Sequence, residues 1–145
     1  MKILFMCVAN SARSQLAEGL ARIVFPTAEI ASAGSNPGKL NPYAVTIMKE
    51  IGVDISKHYS KSINDLPSEF MIDLDYLITL CAEEVCPMLV SNAKKLHWPH
   101  PDPVSQTNNE ILPKAWSDTQ SLERFRDARD SIHARLNEFK KEIVQ

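Results

Sequence analysis

The sequence lacks most of what marks a membrane protein, a nucleic-acid binder or a nucleotide enzyme. No apolar run approaches the ~20 residues needed to cross a bilayer. The short apolar run from Ile3 to Cys7 that follows Lys2 is expected to fall short of the apolar region of a secretory leader. Neither sign of charge dominates: 16 Lys and Arg against 18 Asp and Glu leave −2 over 145 residues. That balance speaks against nucleic acid and against a membrane surface as partners. Cysteine is scarce, at three. In a chain without a leader so few thiols point to a reducing cytoplasm, where they serve reactivity more than stapling. Their odd number leaves at least one out of any pairing. There is no internal repeat, linker or low-complexity tract, and the length suits one domain, 1–145, expected as a monomer.

What is present is an alternation of strand and helix patterns. Lys2-Ile3-Leu4-Phe5-Met6-Cys7 is almost continuously apolar and ends in turn-prone Asn10-Ser11, the pattern of a strand buried on both faces. Leu16, Ala17, Leu20, Ile23 and Val24 recur at helical spacing between Arg13 and Phe25, and Pro26 closes that helix. A second strand spans Glu29 to Ala33, followed by Gly34, Pro37 and Gly38. Asn41-Pro42 opens a helix with a capping side chain and Pro at its first position; Val45, Met48 and Ile51 form its inner stripe and Gly52 ends it. Residues 63–66 predict a short helix, Leu74 to Leu80 a strand, Ala82 to Val85 a helical stretch stopped by Pro87, and Lys95 to Trp98 a shorter strand. The strongest period places Leu122, Phe125, Ala128, Ile132, Leu136, Phe139 and Ile143 on one stripe of a long helix that Asp118 is expected to cap. The order βαβαβαβα implies an α/β three-layer sandwich, a four-stranded parallel sheet with helices on both faces.

In such a sheet the favoured site is the first strand-to-helix turn, here Cys7-Val8-Ala9-Asn10-Ser11-Ala12-Arg13-Ser14. A loop of this length before a helix N-terminus can turn successive N–H groups inward around an oxyanion. Arg13 adds a planar guanidinium for two oxygens of a phosphate-like ligand. Cys7 stands at the mouth of that cradle, where the donors and the helix dipole favour its thiolate as a nucleophile, with Ser14 placed to donate to the sulfur. The alternative is that Cys7 is one more buried small residue at a strand end; the strand before C-x5-R-S and the helix after it favour the functional reading. The turn has no glycine, which excludes both G-x-x-x-x-G-K-[ST] and G-x-G-x-x-G. C-x4-C at Cys81 and Cys86, with His58, His97, His100 and His133 elsewhere, has no recognisable zinc spacing, so no metal and no cofactor are expected.

Cys7-x5-Arg13-Ser14 after an N-terminal strand resembles the signature of the low-molecular-weight protein tyrosine phosphatase superfold, which includes the thioredoxin-coupled arsenate reductases. The likeness continues through Ser32-Ala33-Gly34, Asn41-Pro42-Tyr43-Ala44-Val45, Gly52-Val53-Asp54-Ile55-Ser56, Leu80-Cys81, Asp102-Pro103 and Arg126-Asp127-Ala128-Arg129-Asp130. The resemblance implies the strand order 2-1-3-4 for the sheet. It implies that Val8, Ala9, Asn10, Ser11, Ala12, Arg13 and Ser14 bind a tetrahedral oxyanion, with Asn10 shaping the loop. It also implies that Asp102 protonates the leaving oxygen. On that basis arsenate, or phosphate or sulfate as its analogue, is the expected ligand.

Two branches of the superfold remain open. A reductase needs three thiols: Cys7 attacks arsenate, Cys81 attacks the adduct and releases arsenite, and Cys86 then attacks Cys81. The Cys81–Cys86 disulfide would pass to thioredoxin, with glutaredoxin and glutathione as the second reductant that the resemblance allows. A phosphatase would hydrolyse a phosphocysteine at Cys7 and has no use for the pair. Phosphatase relatives tend to carry aromatics after Asp-Pro, whereas Val104-Ser105-Gln106 follows here, so the reductase is the expectation. Some members bind potassium beside the loop at positions matching Asn10, Glu18, Ser32, Tyr59 and Lys61. An ammonium at Lys61 paired with Glu18 would stand in its place, so no required potassium is expected.

Overall fold

A run such as Ile3 to Cys7 can be apolar without alternation only if both faces of its strand are covered, and they are. In the computed structural model, which describes residues 1–82, 89, 91–104 and 117–143, strand β1 (Lys2–Cys7) lies inside the sheet. β2 (Glu29–Gly34), β3 (Tyr76–Thr79) and β4 (Lys94–His97) complete an all-parallel sheet of order 2-1-3-4. Ile3 and Phe5 point to one layer, with helices α1 (Arg13–Val24), α2 (Pro42–Lys49) and α4 (Asp118–Ile143). Leu4 and Met6 point to the other, against Ile63, Leu66, Phe70 and Met71 of a 3-10 turn and the short helix α3 (Ser68–Ile72). The α/β sandwich is therefore as the strand–helix alternation implied.

The large helix contributes most of the first layer. Phe125, Ala128, Ile132, Leu136 and Phe139 are buried at the expected period, each large one stabilising the fold by on the order of 1.5–3 kcal/mol. Phe139 meets Phe25, Tyr76 and Trp98 edge to face, with centroids 5.0–5.8 Å apart, a preferred aromatic geometry. Strand β4 is one edge of the sheet; Lys94 and Lys95 are exposed there, a charge pattern that discourages pairing with another chain.

Several local expectations need correction. Asp118 does not cap α4 but lies in its first turn and accepts a hydrogen bond from the Tyr43 hydroxyl. The cap is Ser117, whose Oγ accepts from the Gln120 N–H (3.1 Å) while Gln120 Oε1 accepts from the Ser117 N–H (3.0 Å), a reciprocal capping box. Strand β3 is shorter than Leu74 to Leu80: Leu74 is buried under the second layer, and the Asp75 carboxylate is taken by the Lys2 N–H (2.8 Å). Helix α3 was not foreseen. Of the helical stretch from Ala82 to Val85, all but Ala82 lies outside the described residues, as does Cys86.

Candidate active site

At the C-terminal end of β1 the chain turns through residues 8–12 into α1. Ala12, the residue before the helix, has no side chain able to cap it, and no side-chain cap is made. Ala12 thus leaves the start of α1 without a cap from its own N-cap side chain, and a helix N-terminus of that kind suits an anion. Cys7, Val8, Ala9, Ser11, Ala12 and Arg13 line a cavity of about 280 Å³ together with Asn41, Asp102 and Val104. The loop and the acid that the sequence assigned to one site thus share one cavity.

Asn10 shapes the loop. It is fully buried and adopts φ 51°, a left-handed conformation that Asn tolerates better than most residues. Its own N–H points at Cys7 Sγ (3.3 Å). Its side-chain Nδ2 donates to Ser14 Oγ (2.7 Å) and Ser32 Oγ (3.0 Å). Its Oδ1 accepts from the Lys61 N–H (3.0 Å) and Gln15 Nε2 (3.0 Å), and its carbonyl from Ser60 Oγ (2.7 Å). Ser14 Oγ, which accepts from Asn10, lies 2.8 Å from Cys7 Sγ, close enough for its hydroxyl to donate to a thiolate there. The Asn10 N–H and the Ser14 hydroxyl thus both lie within hydrogen-bond reach of the sulfur.

Behind this set lies Glu18, which is buried. Ser32 Oγ donates to Glu18 Oε1 (2.9 Å), and the Lys61 ammonium stands 3.4 Å from the same oxygen. His58 Nδ1 (3.1 Å) and Arg22 (3.3 Å) meet the other oxygen. The pairing of Lys61 with Glu18 matches the sequence expectation. Burial, together with the Arg22 and Lys61 charges, holds His58 below its ordinary pKa against the opposing pull of Glu18. His58 Nε2 lies 3.0 Å from Arg22, so the neutral ring accepts there and donates from Nδ1.

Gly34 explains how β2 comes so close to the loop. A Cβ there would lie 2.4 Å from the Val8 carbonyl oxygen and 3.0 Å from the Asn10 nitrogen, so the backbone approach requires glycine.

Arg13 is buried, and its NH1 donates to the carbonyls of Leu80 (3.3 Å) and His100 (3.0 Å). One guanidinium thus ties the anion loop to the end of β3 and to the loop that carries Asp102. Cys81 follows Leu80. Strands β1 and β3 pair with Met6 opposite Thr79, and the Leu80 N–H reaches the Met6 carbonyl (2.9 Å). Cys81 therefore leaves the sheet on the rim where Cys7 stands; both residues are buried. Asp102 Oδ1 accepts from the Val104 N–H (2.9 Å). Gln15, Ser60 and Lys61 brace Asn10 from up to 51 residues away, and no spacing in the sequence signals that.

Comparison with known proteins agrees with this geometry. The sequence model described as low molecular weight phosphotyrosine protein phosphatase matches residues 2–145. Arsenate reductase 1 of Staphylococcus epidermidis is 37% identical over 140 residues, 94% of this chain and 93% of that protein. A solved arsenate reductase in the phosphate binding state superposes with a TM-score of 0.73 at 29% identity, covering 99% of both chains. A Corynebacterium glutamicum thioredoxin-dependent arsenate reductase gives 0.68 at 28% identity, over 98% of this chain and 61% of that one. With a match that runs nearly end to end, the chain belongs to the low molecular weight phosphotyrosine protein phosphatase family.

Proposed function

We propose that the protein is a cytoplasmic arsenate reductase whose single domain, 1–145, draws its electrons from thioredoxin. The Cys7 thiolate attacks arsenic(V), Asp102 gives its proton to the departing oxygen, and water leaves. Arg13 and the N–H groups of residues 8–14 hold the remaining oxygens. The Cys81 thiolate then attacks Cys7 Sγ. The Cys7–arsenic bond breaks, its electron pair goes to arsenic, and arsenite departs as a Cys7–Cys81 disulfide forms. Attack by Cys86 on Cys81 frees Cys7 and leaves a Cys81–Cys86 disulfide for thioredoxin to reduce.

The observation that carries this reading is the second buried thiol, Cys81, one residue past the carbonyl that Arg13 grips. The names of the relatives support it, and the thioredoxin-dependent relative supports the choice of reductant. The rim of the cavity, with Ala9, Asn41 and Val104, fits a small inorganic oxyanion and, among the described residues that line it, offers no ring to an aryl group. The Lys61 ammonium beside Glu18 supports the expectation that no added potassium is required.

A second reading, hydrolysis of phosphate esters through a phosphocysteine at Cys7, is favoured by the cradle itself, which serves phosphate as well as arsenate. Thioredoxin-dependent arsenate turnover, measured beside aryl phosphate hydrolysis, separates the two. Wild type is expected to reduce arsenate over many turnovers, Cys86→Ser to stop after about one, and Cys7→Ser to lose both activities. Multiple turnover in Cys86→Ser would sink the relay, and an active Cys7→Ser would displace the site.

A further inference from the structure

The segment that carries Asp102 has little means of holding itself. In Pro99-His100-Pro101-Asp102-Pro103 three of five residues have no N–H, so the backbone can be restrained mainly through its carbonyls. At its start Trp98 is fixed: its N–H reaches the Thr79 carbonyl (2.8 Å), its ring meets Phe139, and Arg135 stacks over it at 4.6 Å. Arg13 takes the His100 carbonyl. Beyond His100, Pro101 is exposed and Asp102 only half-buried. Behind the loop lies a second cavity of about 310 Å³, bounded by Pro101, Pro103, Arg124, Asp127 and Ser131. Without a restraint the acid has room to retreat from Cys7.

Arg124 supplies that restraint. Its NH2 donates to the Asp102 carbonyl (3.1 Å) and its Nε to the Pro103 carbonyl (3.3 Å). The fork of a guanidinium fits two successive carbonyls, whereas a lysine offers a single point charge. Its base is rigid, because the next residue, Phe125, is buried and begins the inner stripe of α4. We propose that Arg124 is a positioning residue for the general acid, clamping the backbone of Asp102 so that its carboxyl stays over the Cys7 cavity. The clamp rests on the reading of Asp102 as the acid, and it assigns α4 a part in the chemistry without contact to substrate.

The test compares a step that needs a proton with one that does not. Single-turnover release of arsenite from the reduced full-length protein needs Asp102; alkylation of Cys7 by iodoacetamide, which expels iodide, does not. Arg124→Gln is expected to slow arsenite release roughly ten- to hundredfold, with the arsenate concentration dependence and the alkylation rate unchanged. Arg124→Lys should recover part of the loss, and Arg124→Gln combined with Asp102→Asn should be no slower than Asp102→Asn alone. Wild-type release in Arg124→Gln, additive losses in the double variant, or alkylation falling in step with release would each overturn the clamp. Should Asp102→Asn itself release arsenite at the wild-type rate, the assignment of the acid fails and the clamp with it, an outcome distinct from failure of the clamp alone.

Discussion

Two loops face each other across the 280 Å³ cavity, and they are held by opposite means. The loop of Cys7 is braced from within: Asn10, Ser14, Ser32 and Glu18 are buried and joined in one chain of hydrogen bonds. The loop of Asp102 is gripped from outside, by arginines of α1 and α4, with a cavity at its back. A buried polar network is costly to interrupt, because each partner left behind is unsatisfied in a low dielectric. External clamps can be removed one at a time. The position of Cys7, the proposed nucleophile, is thus built into the core, while that of Asp102, the proposed acid, is set by a few separable contacts.

The largest effect should come from breaking the inner brace at its tightest backbone contact. Gly34→Ala puts a Cβ 2.4 Å from the Val8 carbonyl, and backbone on both sides leaves no flexible side chain to yield. The loop must shift, and a displacement near 1 Å is expected to lower kcat/KM for arsenate by about a hundredfold. The check is steady-state turnover beside Cys7 alkylation, and both should fall. Arg124→Gln should spare alkylation, so the two variants sort the loops by mechanism. If Gly34→Ala retains wild-type alkylation, the inner brace is less rigid than its contacts imply.

Next in size is the buried ion pair. Lys61→Met leaves the Glu18 carboxylate with His58 and the partly exposed Arg22, and loss of one partner of a buried pair costs about 3–5 kcal/mol. Glu18→Gln combined with Lys61→Met should regain part of that loss in a double-mutant cycle. Denaturant midpoints at fixed pH measure it. Independent, additive losses would mean that Lys61 and Glu18 do not act as a pair.

Much of this comparison is legible in the sequence, and the reason for the remainder is physical. The cradle from Cys7 to Ser14 is local, so strand, loop and helix patterns within 25 residues bring its parts together. The period of α4 marks its buried face because one apolar stripe meets one core. The bracing of Asn10 by Gln15, Ser60 and Lys61, and the grip of Arg124 on Asp102, join residues 5 to 51 positions apart through hydrogen bonds that leave no periodic trace. Asp118 looked like a cap because it is an acid at a helix start. Ser117 takes the role because its hydroxyl and Gln120 satisfy each other, leaving Asp118 to Tyr43. Gly34 reads as punctuation in sequence, and only the close passage of the Val8 carbonyl shows why glycine is needed.

Acid should separate the two sides by pH. On the inner side His58 is held below its ordinary value by burial, so the unfolded chain binds the proton more readily than the fold. Its contribution is complete above about pH 6.5 and is lost as pH falls through the lowered native value. His58→Gln should flatten the loss of stability just below pH 6.5, read from denaturant midpoints at closely spaced pH. An unchanged slope there would mean that His58 is not the group that protonates.

The smallest effect belongs to the side of α4, the helix that carries Arg124. Glu50 at the end of α2 receives Arg126 (2.6 Å) and Arg129 (3.0 Å) from α4. Hydrogen bonding from Arg126 outweighs the opposing cost of burial and, aided by a hydrogen bond from Arg129 and the two positive charges, lowers its pKa to about 2. A carboxyl depressed in the fold stabilises fully above its ordinary value, near pH 4.5, and that part is lost as pH falls toward 2. Glu50 and Arg126 are partly open to water, which screens the pair and keeps its contribution small. Glu50→Gln should therefore leave stability at pH 7 little changed and reduce its fall between pH 4.5 and pH 3. It should leave the step near pH 6.5 untouched. A variant that shifted both windows would show that the bracing of the nucleophile's loop and the anchoring of the helix behind the acid are one cooperative unit, and the distinction between the two loops would then hold for geometry but not for energy.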